Sequence, residues 1–274
     1  MKNNNKMKYH VGTVLLVLIS LVLVSCSKFG RIQKRGTLDQ KLEAGIAYYE
    51  KQDYYKSSVL LEEITPLLKG QAQAETALFY LAYDYFMQDQ YPMSSFYFHE
   101  FYQTYNRSDR HEEAMFMYAK SLYKESPVYK LDQQNTYESL KAIQAFITRY
   151  PSSQYMNECN TMNDELSAKL EKKEYDHAKL YHKIRNYKAA VVALTNFIDQ
   201  YPGSMYDEEM AYLRIESQYE LAKNSISGKV QLERYYDAIG FYRSFVEKYP
   251  NSQYMSLAKA LADMSESELA KIKS

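Results

Sequence analysis

The chain has 274 residues, with Lys+Arg and Asp+Glu both at 34 and a formal charge of zero. It holds 30 Tyr, 8 Gly, 2 Cys and no Trp. So few turn glycines argue against a Rossmann domain, a phosphate-loop enzyme or a β-sandwich, charge balance argues against a nucleic-acid partner, and two Cys exclude a disulfide scaffold.

The first element is an address. Lys2, Lys6 and Lys8 precede an apolar run from Val11 to Val24. That run is short of the ~20 residues a bilayer span needs and fits the apolar stretch of a signal peptide. It ends in Leu23-Val24-Ser25-Cys26, which resembles the bacterial lipobox. The resemblance implies cleavage after residue 25 and acylation of Cys26, and several acyl chains hold a membrane where one binds reversibly. Three lysines leave with segment 1–25 and no acid does, so the remaining chain is slightly acidic. The other cysteine, Cys159, reads as a small buried apolar residue. No acid follows Cys26 in Ser27-Lys28-Phe29-Gly30-Arg31, and lipoprotein sorting rules then imply the outer membrane, facing the periplasm.

A repeat fills the rest. Phe146 to Tyr155, Phe197 to Tyr206 and Phe245 to Tyr254 align without gaps around Tyr-Pro-x-Ser. Thr136, Tyr187 and Tyr235 stand fifteen residues before each Pro, and Ser139, Ala190 and Ala238 twelve before. Weaker copies hold Tyr91, Ser94, Phe101 and Asn106, and Tyr54, Ser57, Ile64 and Lys69. A second amphipathic helix precedes each copy, carrying Gly45, Ala82 or Ala178 and then Tyr48, Tyr85 or Tyr181. This two-helix unit resembles the tetratricopeptide repeat. The small residue admits the partner helix and the Pro ends the second helix. Ser153, Ser204 and Ser252 are placed to N-cap the next helix, and Ser204 with Asp207 has capping-box spacing.

The fold expected is all-α: a tetratricopeptide-repeat superhelix of about five helix-turn-helix repeats with a C-terminal capping helix near Met255 to Ile272. The markers at 69, 106, 151, 202 and 250 are spaced wider than the usual ~34 residues, so the first helix is extended or interrupted in repeats 3 to 5. The inserts are 125–135 and 224–229. The division expected is a signal segment at 1–25, a lipidated tether at 26–37 and a solenoid at 38–274.

Catalytic signals are missing. HExxH, CxxC and GxSxG do not occur, and His177 and His182 are five apart, wrong for one helical face. His111-Glu112-Glu113 reads as a solvated helix start, with acids complementing the dipole. The expectation is a protein that is not an enzyme, with no metal and no cofactor beyond the covalent lipid on Cys26. Most of the tyrosines fall at repeat packing positions, and Tyr also suits wet, reversible binding surfaces.

Several segments in order are similar to the BamD (YfiO) family: the lipobox, Tyr-Tyr-Glu-Lys-Gln-Asp-Tyr-Tyr-Lys-Ser-Ser at 48–58, Ser126-Pro127…Leu131-Asp132-Gln133…Thr136, and Asp176 to Tyr181 with Tyr187 to Ala190. The Ser-Pro…Leu-Asp-Gln…Thr insert is the specific part. The resemblance covers essentially all of 26–274. It implies a tetratricopeptide lipoprotein of the outer-membrane β-barrel assembly machinery. Repeats in 38–151 would engage targeting strands of unfolded outer-membrane proteins. Repeats in 152–274 would dock on the POTRA region of the barrel-forming subunit, beside other assembly lipoproteins.

Repeat geometry nominates groove residues at three before, one after and four after the small residue. They are Leu42, Ile46 and Tyr49, then Phe79, Tyr83 and Phe86, then, around Ala119, Phe116, Lys120 and Tyr123. Such an aromatic trough with one Lys suits a strand ending in an aromatic residue and a carboxylate; the alternative is that these aromatics are core. Asp207-Glu208-Glu209 contributes to the dock or simply caps a helix. Two competing readings remain: a periplasmic scaffold for envelope or cell-division proteins, and a glycan-binding lipoprotein of an importer, against which the absence of Trp counts.

Overall fold

The computed structural model describes residues 28–226 and 228–273. Segment 1–25 and Cys26 lie outside the described residues. Within them the chain is all-α, in hairpins of tetratricopeptide type. Residues 28–35 form α1. It is followed by α2 (Leu38–Glu50), α3 (Tyr54–Ile64), α4 (Gln73–Met87), α5 (Tyr91–Thr104), α6 (His111–Glu125), α7 (Gln134–Arg149) and α8 (Met156–Lys183). Then come α9 (Tyr187–Gln200), α10 (Asp207–Lys223), α11 (Gly228–Lys248) and α12 (Met255–Lys273).

Two compact units divide the chain, the first from residues up to 127 plus 132–164, the second from 128–131 plus 165 onward. The division falls inside α8. In the first unit Leu42, Leu61, Ile64, Leu68, Leu81 and Tyr85 belong to one core cluster. In the second, Tyr175, Ala178, Leu194, Phe197 and Met210 form another. Every described core cluster is built from residues 38 onward.

Local chemistry explains the hairpins. Thr37 caps α2 in a full capping box with Gln40. The turns from first to second helix pass through Gln52, Asp89 and Arg185 at φ near +60°. At each, two amides bond back to the closing helix, as in Asp53 N to Tyr48 O at 2.9 Å and Asn186 N to Tyr181 O at 3.0 Å. This left-handed closure satisfies carbonyls that the helix end leaves open. The small residues sit at close approaches: a Cβ on Gly45 would meet Leu61 Cδ2 at 2.7 Å. Ala82, Ala119 and Ala178 are buried. Phe101, Phe146, Phe197 and Phe245 of the second helices are buried too, each worth roughly 1.5–3 kcal/mol against exposure.

The second helices end at Arg149, Gln200 and Lys248, just short of the Tyr-Pro pairs, because the residue before Pro is pushed out of helical geometry. Ser153, Ser204 and Ser252 do not N-cap the helices that follow. Each hydroxyl accepts the amide two residues on, at 3.0, 3.0 and 2.9 Å, and closes a turn from which the helix starts later. Ser108 does the same with Arg110, so the motif persists where Asn106 replaces Pro. The expected Ser204–Asp207 box is absent: Asp207 accepts from Gly203 N, and Ser204 donates to Glu171.

The long spacing has three origins. In repeat 3, α6 is of ordinary length and the loop after it is long. In repeat 4, α8 is one continuous helix of 28 residues. In repeat 5, the second helix, α11, reaches 21 residues. The loop after α6 is held by its own motif: Ser126 Oγ lies 2.6 Å from Thr136 Oγ1, which donates to Gln133 Oε1 at 2.7 Å. Asp132 Oδ1 accepts the Gln134 amide at 2.9 Å. In the second unit, Lys173 donates to the carbonyls of Tyr129 and Leu131.

Candidate functional site: an aromatic row on the first helices of the N-terminal unit

The three nominated positions of each helix part company in the structure. Those three before the small residue are core. Leu42, Phe79 and Phe116 are 8%, 8% and 2% exposed. The latter two have a fixed partner from the turn after the hairpin: Arg110 lies over Phe79 at 4.9 Å and Tyr155 stacks on Phe116 at 4.2 Å. The second unit repeats this, with Tyr206 on Tyr175 at 3.9 Å and Tyr254 on Tyr212 at 4.8 Å. In the first three of these pairs the residue two after the turn Ser covers the ring three before the small residue. Phe79, Phe116 and Tyr175 are buried, hold hairpins together and present no face to a ligand.

The other positions, Ile46, Tyr49, Tyr83, Phe86, Lys120 and Tyr123, are half-buried. Ile46 packs at the edge of the first core cluster. Tyr49 meets Tyr80 at 4.9 Å and Tyr83 at 6.3 Å, edge to face. Tyr83 also meets Phe79 at 5.1 Å and Phe98 at 5.0 Å, and its hydroxyl donates to Glu113. Lys120 stands over Phe86 at 5.8 Å and Phe116 at 5.5 Å and pairs with Glu158 at 2.8 Å. Tyr123 has Lys124 over its ring at 5.9 Å.

Burial keeps the phenols of Tyr49 and Tyr83 neutral. Burial, helped by Tyr54 and Asp84, pushes Tyr49 up to about 12. Burial first and the Glu113 hydrogen bond second push Tyr83 higher still. The row thus offers aromatic faces, neutral hydroxyls and a cation already held by a carboxylate. An incoming carboxylate must displace Glu158 to reach Lys120. Arg110, Tyr80, Glu113 and Glu158 belong to this surface and escaped the sequence reading. For Arg110 the signal was available, since it fills the slot of Tyr155, Tyr206 and Tyr254 once Ser108 is aligned with the later turn serines.

In the second unit the equivalent of Lys120 is Lys179, and it is bound tightly. It donates to Glu209 at 2.8 Å and to Tyr175 Oη at 2.7 Å, while Tyr175 donates to Glu209 at 2.7 Å. The Glu209 and Tyr175 bonds raise its pKa. Asp207 is buried and paired with Lys248 at 2.6 Å. Asp207 and Glu209 of the acidic start of α10 are therefore engaged in internal ion pairs. His111 likewise is not solvated: it is buried and bonds Tyr150 Oη at 2.6 Å, and burial lowers its pKa. Cys159 is buried, and burial lifts its thiol to about 11. Among the described residues no helix is long and apolar enough to cross a membrane, and no cluster of three or more His, Cys, Asp or Glu is placed to hold a metal.

The sequence profile of the YfiO family, described as outer membrane lipoprotein, matches residues 36–193 and 166–273. The chain belongs to the YfiO family. A curated relative, the outer membrane protein assembly factor BamD of Rickettsia prowazekii (strain Madrid E), is 24% identical over 227 residues, covering 82% of this chain and 88% of that one. A solved chain described under computational design of self-assembling cyclic protein homooligomers covers 97% of this chain and 96% of its own at 15% identity, but its TM-score is 0.19 and the likeness carries no argument. The family match spans the hairpins that carry the aromatic row, so this outer membrane lipoprotein presents the row on the family's own scaffold.

Proposed function

We propose that this YfiO-family protein is a non-catalytic assembly scaffold, held on the periplasmic face of the outer membrane by lipid on Cys26. Its N-terminal hairpins hold targeting segments of unfolded outer-membrane proteins, and its C-terminal hairpins dock on the POTRA region of a barrel-forming subunit. The observation that carries the reading is the family match across 36–273, joined to a relative named as an outer membrane protein assembly factor.

The chemistry of the row agrees. Half-buried rings of Tyr49, Tyr83 and Phe86 give an extended segment flat apolar contact, and Tyr hydroxyls can bond its backbone. Lys120 supplies a cation that exchanges Glu158 for a chain-terminal carboxylate. Tyr83→Ala and Lys120→Glu should each weaken binding of a C-terminal barrel-strand peptide about tenfold, with helical content unchanged. Unchanged affinity in both variants removes the assignment of the row. Depletion in cells should empty the outer membrane of barrel proteins; normal barrel levels would sink the larger reading. Co-purification of a POTRA-bearing barrel protein separates it from a general envelope scaffold.

A further inference from the structure

A groove of about 1100 Å³ opens between α1, α2 and the turn into α3. Lys28, Arg31 and Arg35 line it from α1, and Lys51 and Lys56 from the turn side. Ile32, Ala44 and Ala47 give it an apolar part of the lining. Phe29 fixes α1 by an edge-to-face contact with Tyr48 at 5.7 Å.

The charge on this groove is not balanced from within. Residues 28–35 hold four cations and no acid. Asp53, one of the two acids in the lining, is taken by Lys56 at 2.5 Å. Lys28, Arg31, Arg35 and Lys51 form no ion pair with any described residue, whereas Lys120, Lys179 and Lys248 elsewhere each do. Glu43 is the remaining acid in the lining.

Position gives the occupant. Cys26 is two residues before Lys28, and two residues of chain reach at most about 7 Å. A lipid on Cys26 would therefore place this mouth at the headgroup layer. Arg side chains grip phosphate oxygens in pairs, and an apolar lining accepts the glycerol end of a lipid. We propose that the α1–α2 groove binds the phosphate headgroup of an anionic phospholipid, orienting the N-terminal unit on the leaflet that its acyl chains enter. The inference rests on the proposed acylation of Cys26 for its location, and on the groove alone for its chemistry.

The test uses the acyl-free chain 27–274, which keeps every described residue and every described core cluster, sedimented with vesicles. Partition should be at least ~10-fold greater on vesicles with about 30% phosphatidylglycerol than on pure phosphatidylcholine. It should vanish between ~50 and ~500 mM NaCl. Arg31→Glu with Arg35→Glu should abolish it at unchanged circular dichroism. Equal partition on both vesicles, or a double variant that binds like the parent, overturns the proposal. So does release by ~10 mM inorganic phosphate at constant ionic strength, which would assign the groove to a soluble anion. Because Cys26 is missing from this chain, failure here leaves the anchor untouched. Absence of labelled palmitate on Cys26 in cells, with vesicle binding intact, would sink the anchor and spare the groove chemistry.

Discussion

Asp84 is a carboxyl at the wrong place for a charge. It lies on α4, fully buried, and neither oxygen has a hydrogen-bond partner. Ser57 on α3 is equally buried beside it, and its hydroxyl lowers the carboxyl's pKa by less than burial raises it. Burial pushes Asp84 from 3.8 up to about 8. The native chain therefore keeps this proton through neutral pH, while the unfolded chain has already lost it. Where the native state binds the extra proton, stability falls as pH rises. The contribution is full below 3.8 and is lost up to about 8. Between pH 6 and pH 8 this amounts to about 2 kcal/mol. Asp84→Asn keeps the shape and removes the titration. In urea unfolding, the stability difference between parent and Asp84→Asn should move by about 2 kcal/mol over that range, or roughly 1 M in midpoint. Comparing the pair cancels other titrating groups, His111 included. Parallel pH curves for the two proteins would refute the reasoning.

Other expectations follow from single contacts. Gly45→Val should cost about 1–3 kcal/mol, because even its Cβ would lie 2.7 Å from Leu61 Cδ2 inside the core; a melting temperature equal to the parent's would contradict this. Arg185→Gly should raise stability by roughly 1 kcal/mol, since φ of 60° strains a residue with a Cβ, and Arg185→Val should lower it; calorimetry gives the order. Tyr155→Leu should lose about 1 kcal/mol beyond its buried area through the stack on Phe116, and near-UV circular dichroism should show the change in ring environment.

Chain-local chemistry was readable before any fold was known. The Tyr-Pro pairs at 150–151, 201–202 and 249–250 stop helices, small residues recur where two helices must touch, and the insert Ser126…Asp132-Gln133…Thr136 closes on itself through side chains no more than ten residues apart. These effects need no distant partner, so residue order carries them. Periodicity also grouped Phe79, Tyr83 and Phe86 on one side of a helix. It could not say that Arg110 and Tyr155, arriving from the next turn, would cover Phe79 and Phe116 and leave Tyr83 and Lys120 at the surface. Nor could it say that Glu158 would hold Lys120, that Tyr150 would bury His111, or that the compact units would divide within α8. Those outcomes depend on which hairpin lands on which face, and that is settled by packing between residues 30 to 40 apart, where no local rule reaches.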